Sequence, residues 1–230
     1  MITSETVKGL ASKLGADLCG VASVERFGSA PRGFHPGEVY PDCRSVIAVA
    51  ARFPSGTLTA GTNSPYTFVR NMMVAELDRI TFEMARALEA DGVAAVPIPS
   101  AEPYDYWDEE RWHGRGVLSL KHAGQLAGLG RIGRNTLLVN DRFGNMIWLG
   151  AVLVPVALAP DPPAAYEPCP DKCTLCLDHC PQQALDGTTI DQKKCRARST
   201  SSTPGGGWVL SCNDCRKICP QRHGLNKKKK

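Results

Sequence analysis

The sequence has no apolar segment long enough to cross a membrane, and it has no apolar leader at its beginning. The longest uncharged apolar stretch covers residues 146–160, and Pro155 interrupts it. A membrane helix needs about 20 apolar residues, so this stretch predicts a buried strand instead. The opening "MITSETVKGLASKLG" lacks the apolar region of a secretory signal. We therefore expect a cytoplasmic protein that does not bind membranes.

Cysteine is scarce in the first 168 residues, where only Cys19 and Cys43 occur, both among apolar neighbours. We expect these two to be small buried hydrophobic side chains. The other eight cysteines lie between positions 169 and 219. In the reducing cytoplasm such crowding favours metal binding over disulfides.

The spacing of the eight cysteines is typical of two iron–sulfur clusters. The runs are Cys169-x3-Cys173-x2-Cys176-x3-Cys180-Pro181 and, after Cys195, Cys212-x2-Cys215-x3-Cys219-Pro220. In such a run the last thiolate binds the neighbouring cluster. Crossing over predicts two [4Fe–4S] clusters, one on Cys169, Cys173, Cys176 and Cys219, the other on Cys180, Cys195, Cys212 and Cys215.

Two zinc sites or disulfides are the alternatives to clusters. Zinc does not need the Cys-Pro ending and usually uses isolated Cys-x2-Cys pairs. Cys169 lies one residue further from Cys173 than the commonest spacing, with Pro170 where the usual cysteine would fall. It is the least regular of the eight predicted ligands.

The formal net charge of +4 does not by itself indicate a nucleic-acid partner. Each oxidised [4Fe–4S] core with four thiolates carries about −2, so two of them reduce the charge to roughly zero. The final "NKKKK" is expected to be a solvated tail.

Hydrophobic periodicity predicts a layered domain over residues 1–160. Helices are expected over 4–15, capped by Ser4, and over 68–90, and buried strands over 16–23, 45–51, 93–99 and 146–154. The inward face of the long helix is predicted to comprise Val69, Met72, Met73, Leu77, Ile80, Met84 and Leu88. Residues 159–168 are rich in proline and alanine and predict a linker to a smaller domain over 161–230, which includes the basic tail.

The stretch "AGLGRIGRN" has the glycine spacing of a dinucleotide-binding turn, at Gly128, Gly130 and Gly133. That motif needs a preceding strand and an acidic residue about 20 positions further on. Here the preceding residues 118–127 have helical spacing, and the later region is the apolar "AVLVPV". The sequence therefore argues against a nicotinamide or flavin dinucleotide site of this type.

Four motifs in order resemble the epoxyqueuosine reductases and their relatives, the reductive dehalogenases. They are "AGLGRIGRNTLLVNDRFGNMIWLGAVL", "CTLCLDHCPQQAL", "DQKKC" and "CNDCRKICP". The resemblance implies an α+β fold, with a nitroreductase-like α/β sandwich that binds a corrinoid (cobalamin). A small ferredoxin-like double-cluster domain would follow and feed electrons to the corrinoid.

Carried over by this resemblance, Gly128, Gly130, Gly133 and Asn135 would form the loop against the corrinoid, and Arg134 would meet its anionic groups. Glycine has no side chain and so allows close backbone approach. The alternative is that these glycines only permit tight packing within the protein.

Two departures from the family pattern stand out. Gly114 falls where the reductases have a proton-donating Asp. Epoxide reduction by the family's mechanism would therefore lack its proton donor in this sequence. The sequence also stops after the second cysteine run, without the helical-repeat segment with which the reductases help to hold tRNA. On these grounds we expect a small-molecule substrate or a redox partner protein, and no tRNA partner.

A replacement proton donor is sought in "PSAEPYDYWDEERWHGR", residues 99–115. By analogy with the tyrosine of the reductive dehalogenases, Tyr104 or Tyr106 is the candidate catalytic residue. Arg111 or Arg115 nearby would favour the phenolate electrostatically. The alternative is that this aromatic cluster is a packed surface lid.

Together these features predict an iron–sulfur oxidoreductase. Its two [4Fe–4S] clusters would pass electrons to a corrinoid-type redox centre for the reduction of an unknown small molecule. Two alternatives stay open: an electron-transfer or corrinoid-handling protein without a substrate of its own, or flavin in place of the corrinoid.

Overall fold

A four-stranded antiparallel sheet forms the centre of the protein, which we describe from a computed structural model over residues 2–225. The predicted basic tail, residues 226–230, lies outside the described residues. In chain order the elements are α1 (Ser4–Lys13), β1 (Leu18–Ser23), α2 (Pro36–Val39), β2 (Ser45–Arg52), α3 (Ser64–Ala90), β3 (Val96–Ile98), β4 (Tyr106–Asp108), β5 (His113–Arg115), α4 (Leu120–Leu126), β6 (Arg131–Ile132), β7 (Leu138–Val139), β8 (Ile147–Val154), α5 (Leu175–Asp178), α6 (Gln192–Ser199), β9 (Thr200–Ser202), β10 (Trp208–Leu210) and α7 (Asp214–Lys217).

The central sheet has the order β1-β2-β8-β3 and is buried on both faces. Because side chains alternate along a strand, Ile47 and Val49 of β2 face one side and Val46 and Ala48 the other. Helices α1 and α3 cover the first side, and α4 covers the second. The predicted mixed α/β architecture is confirmed, and each predicted strand of the larger domain overlaps an observed one.

The long helix α3 begins four residues before the predicted start. Pro65 lies in its first turn, where proline fits without losing a helical hydrogen bond. The prediction that Met72 faces the core is wrong, because its side chain is 51% exposed. The neighbouring Met73, about 100° further around the helix, lies on the buried face as predicted.

Helix α1 is capped by Thr3 and not by the predicted Ser4. The Thr3 hydroxyl accepts from the backbone N–H of Thr6, and the Thr6 hydroxyl accepts in return from the backbone N–H of Thr3. This reciprocal pair is a capping box. Ser4 instead donates its hydroxyl to the carbonyl of Ala159 at 2.7 Å, which ties the helix to the predicted linker.

Residues 161–225 form three short helices and the hairpin β9–β10, and they pack closely against the larger domain. The backbone N–H of Leu210 donates to the Thr67 hydroxyl of α3 at 2.9 Å. The buried guanidinium of Arg216 donates to the carbonyl of Asn145. The boundary at residue 160 stays a prediction.

Among residues 2–225, no helix is long and apolar enough to span a membrane.

Candidate redox site

The eight clustered cysteines lie on short helices and turns of residues 161–225, and all of them are free thiols. Helix α5 carries Cys176 and helix α7 carries Cys215, and these two helices pack against each other. Helix α6 carries Cys195. Pro181 and Pro220 lie just beyond α5 and α7, where proline prevents the helices from continuing.

A first group of thiols, which we call the first thiol set, comprises Cys169, Cys173, Cys176 and Cys219. Burial is the main cause that raises the pKa of the Cys219 thiol to about 11, and the other three thiolates add to it. Burial also raises the pKa of Cys176, with further contributions from Cys169 and Cys173. Charge interactions between thiolates weaken with distance, and these mutual effects define the first thiol set.

The second thiol set comprises Cys180, Cys195, Cys212 and Cys215. Burial is the main cause that raises the pKa of Cys215 to about 12, and Cys195 and Cys212 add to it against the opposing effect of Arg216. Burial raises the pKa of Cys195 as well, and Cys180 contributes in the same direction. This grouping is the one that a crossed pair of clusters requires.

The two sets adjoin at Cys176 and Cys215, because the Cys176 thiolate contributes to the raised pKa of Cys215. Raised thiol pKa values mean that these groups are costly to ionise alone, and a bound cationic metal core favours the thiolate form. Among residues 2–225, no three metal-ligating side chains converge closely enough for a single ion. A core of four irons holds its ligands further apart than one ion does, and the clusters stay a prediction.

Backbone N–H groups point at two of the sulfurs. The N–H of Arg134 donates to Cys169 Sγ at 3.4 Å, and the N–H of Ala184 donates to Cys180 Sγ at 3.3 Å. Hydrogen bonds of this kind stabilise cluster thiolates and tune their potentials. One such bond reaches each set, so the donor arrangement fits the predicted clusters.

The glycine turn follows helix α4 and not a strand, as the helical spacing predicted. A side chain at Gly128 or Gly130 would collide with the protein's own backbone, at the carbonyls of Pro162 and Val139 respectively. Gly128 also has φ +78°, a conformation that favours glycine. Internal packing therefore explains both glycines, and their contact with a corrinoid stays a prediction.

Residues 133–135, further along the same turn, join the larger domain to both thiol sets. A Cβ at Gly133 would lie 3.5 Å from Cys169 Sγ. The guanidinium of Arg134 donates to the carbonyl of Cys173 at 2.8 Å, and the Asn135 amide donates to the carbonyl of Cys215 at 3.1 Å. We call residues 133–135 the contact turn.

An open cleft of about 700 Å³ lies beside Tyr104, Trp107 and Arg196, with Glu102 and Pro103 at its edge. The rings of Tyr104 and Trp107 stack with their centroids 6.0 Å apart. The Arg196 guanidinium carbon lies 5.5 Å and 5.1 Å from those two centroids. Arg196 also donates to Tyr104 Oη at 3.2 Å.

Tyr106, the second candidate proton donor, lies in a different setting. Its ring meets Phe34 edge-on at 6.4 Å, and the guanidinium of Arg115 lies 5.3 Å from its centroid. The exposed Arg111 instead pairs with Asp108 at 3.8 Å. The structure thus places Arg115 beside Tyr106, as considered from sequence, and Arg196 beside Tyr104.

Gly114, which the sequence resemblance assigns to the position of the family's acid, is buried beneath the Tyr104 ring. A Cβ at Gly114 would lie 3.0 Å from Tyr104 Cδ2. Gln192 of α6 holds Gly114 by both backbone groups, accepting from its N–H and donating to its carbonyl, each at 3.0 Å. Tyr104 therefore fills the space that a side chain at position 114 would need.

Sequence reasoning missed Gln192, Arg196 and Arg216 as site residues. Arg216 is only 5% exposed, and its guanidinium lies over the rings of Phe53 and Trp148. Sequence position could have indicated two of them, because Arg196 and Arg216 each directly follow a cysteine of the second thiol set. A cation beside a thiolate offsets negative charge there.

Cys19 and Cys43 take no part in either thiol set. Burial is the main cause that raises the pKa of Cys19 to about 12 and that of Cys43 to about 11. Both thus remain neutral thiols packed with hydrophobic neighbours at neutral pH.

The chain matches curated epoxyqueuosine reductases over most of its length. It is 31% identical to the enzyme of Gloeobacter violaceus over 91% of this chain and 66% of that protein. It is 33% identical to the Bacillus anthracis enzyme over 84% of this chain and 52% of that protein. The chain is a homologue of the epoxyqueuosine reductases. No family model matches it.

Solved structures show the same fold relation. An epoxyqueuosine reductase in complex with a tRNA-Tyr stem loop aligns with TM-score 0.64 and 18% identity, over 95% of this chain and 64% of that one. A catabolic reductive dehalogenase aligns with TM-score 0.72 and 20% identity, over 96% of this chain and 32% of that one. The epoxyqueuosine reductase homologue thus shares its fold with both groups of enzymes.

The expectation that tRNA is not a partner is wrong, because a similar structure holds a tRNA stem loop. It rested on where the sequence ends, yet the chain spans about half to two thirds of the curated relatives it matches. A structure that aligns with 95% of this chain holds a tRNA stem loop. The end of a chain that covers part of its relatives does not decide which ligand the shared part contacts.

The packing explanation of the glycine turn predicts a stability effect. Gly130→Ala places a methyl group 2.5 Å from the carbonyl oxygen of Val139, and such overpacking costs about 1–3 kcal/mol. Gly56→Ala is the matched control, since nothing lies within 4 Å of its added Cβ. Thermal unfolding should show a lower Tm for Gly130→Ala alone; equal Tm values would contradict the packing explanation.

Proposed function

We propose that this chain is an iron–sulfur oxidoreductase that passes electrons through two [4Fe–4S] clusters to a corrinoid-type centre for the reduction of a small molecule. The carrying observation is the division of the eight thiols into two adjoining sets of four. Homology to the epoxyqueuosine reductases supports the same class of chemistry. A similar structure is that of a reductive dehalogenase described in terms of B12-dependent dehalogenation.

The residues around the thiols suit two negatively charged clusters. When bound, the clusters supply one-electron transfer, and the corrinoid supplies the metal centre that accepts those electrons. Arg216 lies next to the second thiol set and lowers the cost of negative charge there. The contact turn, residues 133–135, holds both sets against the larger domain, which fixes the distance over which electrons pass.

We propose Tyr104 as the proton donor of the reduction, in preference to Tyr106. A guanidinium has only donors, so Arg196 uses the Tyr104 oxygen as an acceptor and leaves the phenolic O–H to point elsewhere. Tyr104 borders the 700 Å³ cleft and is 38% exposed, which gives a ligand access to that proton. Tyr106 lines neither this cleft nor the cavity beside Arg52 and Phe143.

The second candidate function is electron transfer or corrinoid handling without a substrate. Two points favour it: the sequence resemblance assigns Gly114 to the position of the family's acid, and packing already occupies the space beside Gly128 and Gly130. Under this alternative the Tyr104 cluster is a surface lid. Flavin in place of the corrinoid is a variant that the cofactor content decides.

Iron content tests the cluster proposal directly. Protein purified anaerobically should contain about eight irons per chain and show the brown colour of [4Fe–4S] clusters. Cys219→Ser and Cys195→Ser should each reduce the iron content by roughly half, because each removes a ligand of a different set. Cys43→Ala is the control and should retain all the iron. Colourless protein, or zinc in place of iron, would overturn the proposal.

Cobalamin titration distinguishes the candidate functions. The leading proposal predicts binding at one cobalamin per chain with a shift in the visible spectrum. Eight irons with no response to cobalamin would favour the electron-transfer alternative. Yellow colour, with fluorescence released by acid, would identify flavin.

Tyrosine variants test the proton donor. The probes are an epoxyqueuosine-modified tRNA stem loop and 3-bromo-4-hydroxybenzoate, the ligands of two similar structures, each with a chemical electron donor. Tyr104→Phe should slow turnover about 100-fold or more, with iron content unchanged. Tyr106→Phe should retain the rate of the unaltered protein. The opposite ranking, or no effect of either variant, would remove Tyr104 from this role.

A further inference from the structure

A second cavity, of about 600 Å³, lies at the end of the central sheet where β2 ends and β8 begins. Its volume is within the range of small-molecule sites. Three chain segments line it: residues 52–56, residues within 142–146, and His223, which lies just beyond the second cysteine run. The cavity is lined by Arg52, Phe53, Arg142, Phe143, Met146 and His223, among others.

The base of this cavity is apolar and firmly held. Phe53 and Met146 are 1% and 2% exposed. The ring of Tyr66 packs against Phe53 with centroids 5.4 Å apart, and the Arg216 guanidinium lies 5.5 Å from the same ring. A base fixed on several sides is preorganised for a flat ligand, because little ordering cost accompanies binding.

The walls of the cavity are positively charged. The guanidinium carbons of Arg142 and Arg52 lie 4.9 Å and 6.0 Å from the ring centroid of Phe143. None of the lining residues is acidic. Within residues 2–225, the guanidinium of Arg52 forms no ion pair with a carboxylate. The Arg52 guanidinium, which lies over this ring, presents its in-plane N–H donors for an anion.

We propose that this cavity binds a planar organic anion. The aromatic part would lie against Phe143 and the apolar base, and a carboxylate or phosphate would accept hydrogen bonds from Arg52 beside the positive charge of Arg142. The inference goes beyond the proposed function, because no cysteine lines the cavity and the contacts need no bound metal. A nucleotide and an aromatic carboxylate share this chemistry.

The cavity also adjoins the thiol sets. His223 lies four residues after Cys219, and the backbone N–H of Arg222 donates to the carbonyl of Cys219 at 3.1 Å. Arg216, which holds the base of the cavity, directly follows Cys215. A ligand bound here therefore contacts the segment that carries the last thiols of both sets.

Isothermal titration calorimetry on anaerobically purified protein of known iron content tests this site. The probes are adenosine monophosphate, 4-hydroxybenzoate, adenosine and inorganic phosphate. We expect one of the first two to saturate at one site per chain, and which one does identifies the source of the anion. Adenosine and phosphate alone should bind at least about tenfold more weakly, because each lacks half of the recognised chemistry.

Variants locate the binding in this cavity. Arg52→Gln removes a charged donor and should raise Kd about tenfold, and Phe143→Leu should weaken binding by removing the ring. Arg52→Lys keeps the charge and shows whether the planar fork matters. Arg32→Gln, at an exposed arginine that does not line the cavity, is the matched control and should bind as the unaltered protein does.

Three results would overturn the proposal: no saturable binding of either anion, adenosine binding as tightly as its monophosphate where the monophosphate is the anion that saturates, or an unchanged Kd in Arg52→Gln. Displacement of the anion by cobalamin would also overturn it as a separate site. Unfolding temperatures of the variants report any loss of fold. Iron content reports the cluster proposal independently, so normal iron with no anion binding, or binding without iron, separates the two failures.

Discussion

Cys219 lies among the thiols of the first cysteine run, and Cys180 lies beside Cys195 of the second, so each run completes the set of the other. With the proposed clusters bound, this exchange would be the constraint on which residues 161–225 depend. A segment of this size has little hydrophobic core of its own, and its helices α5 and α7 have four residues each. Such small units usually rely on metal or disulfide bridges for stability. Here the free thiols of both runs are gathered between those helices and α6.

The larger domain holds this arrangement through a small number of polar contacts. Asn135 and Arg134 reach the carbonyls of Cys215 and Cys173, and Arg216 reaches back to Asn145. These bonds run in both directions across the boundary predicted at residue 160. Helix α6 adds a further link, because it carries Cys195 and its Gln192 forms two hydrogen bonds with the backbone of Gly114. The thiol sets and the Tyr104 cleft therefore share one supporting element.

Much of the larger domain could be predicted because its strands and long helix have strong hydrophobic periodicity. Met72 was misassigned because an apolar residue beside a buried stripe looks the same in sequence as one within it. The hairpin β4–β5 was not predicted, since three-residue strands are too short to show alternation. The thiol sets followed from spacing, whereas Arg216 and Gln192 act through contacts distant in sequence. No local pattern encodes contacts of that kind.

Gly144 has a consequence for how the protein unfolds. It has φ +60°, and a side chain there would overlap the backbone of Gln221 and Arg222. The loop before β8, which contains Gly144, therefore packs directly against the backbone of residues 221–222. There is no room for even a methyl group between them. Regions joined so closely behave as a single cooperative unit, so the two parts of this protein should open and exchange their amide hydrogens together.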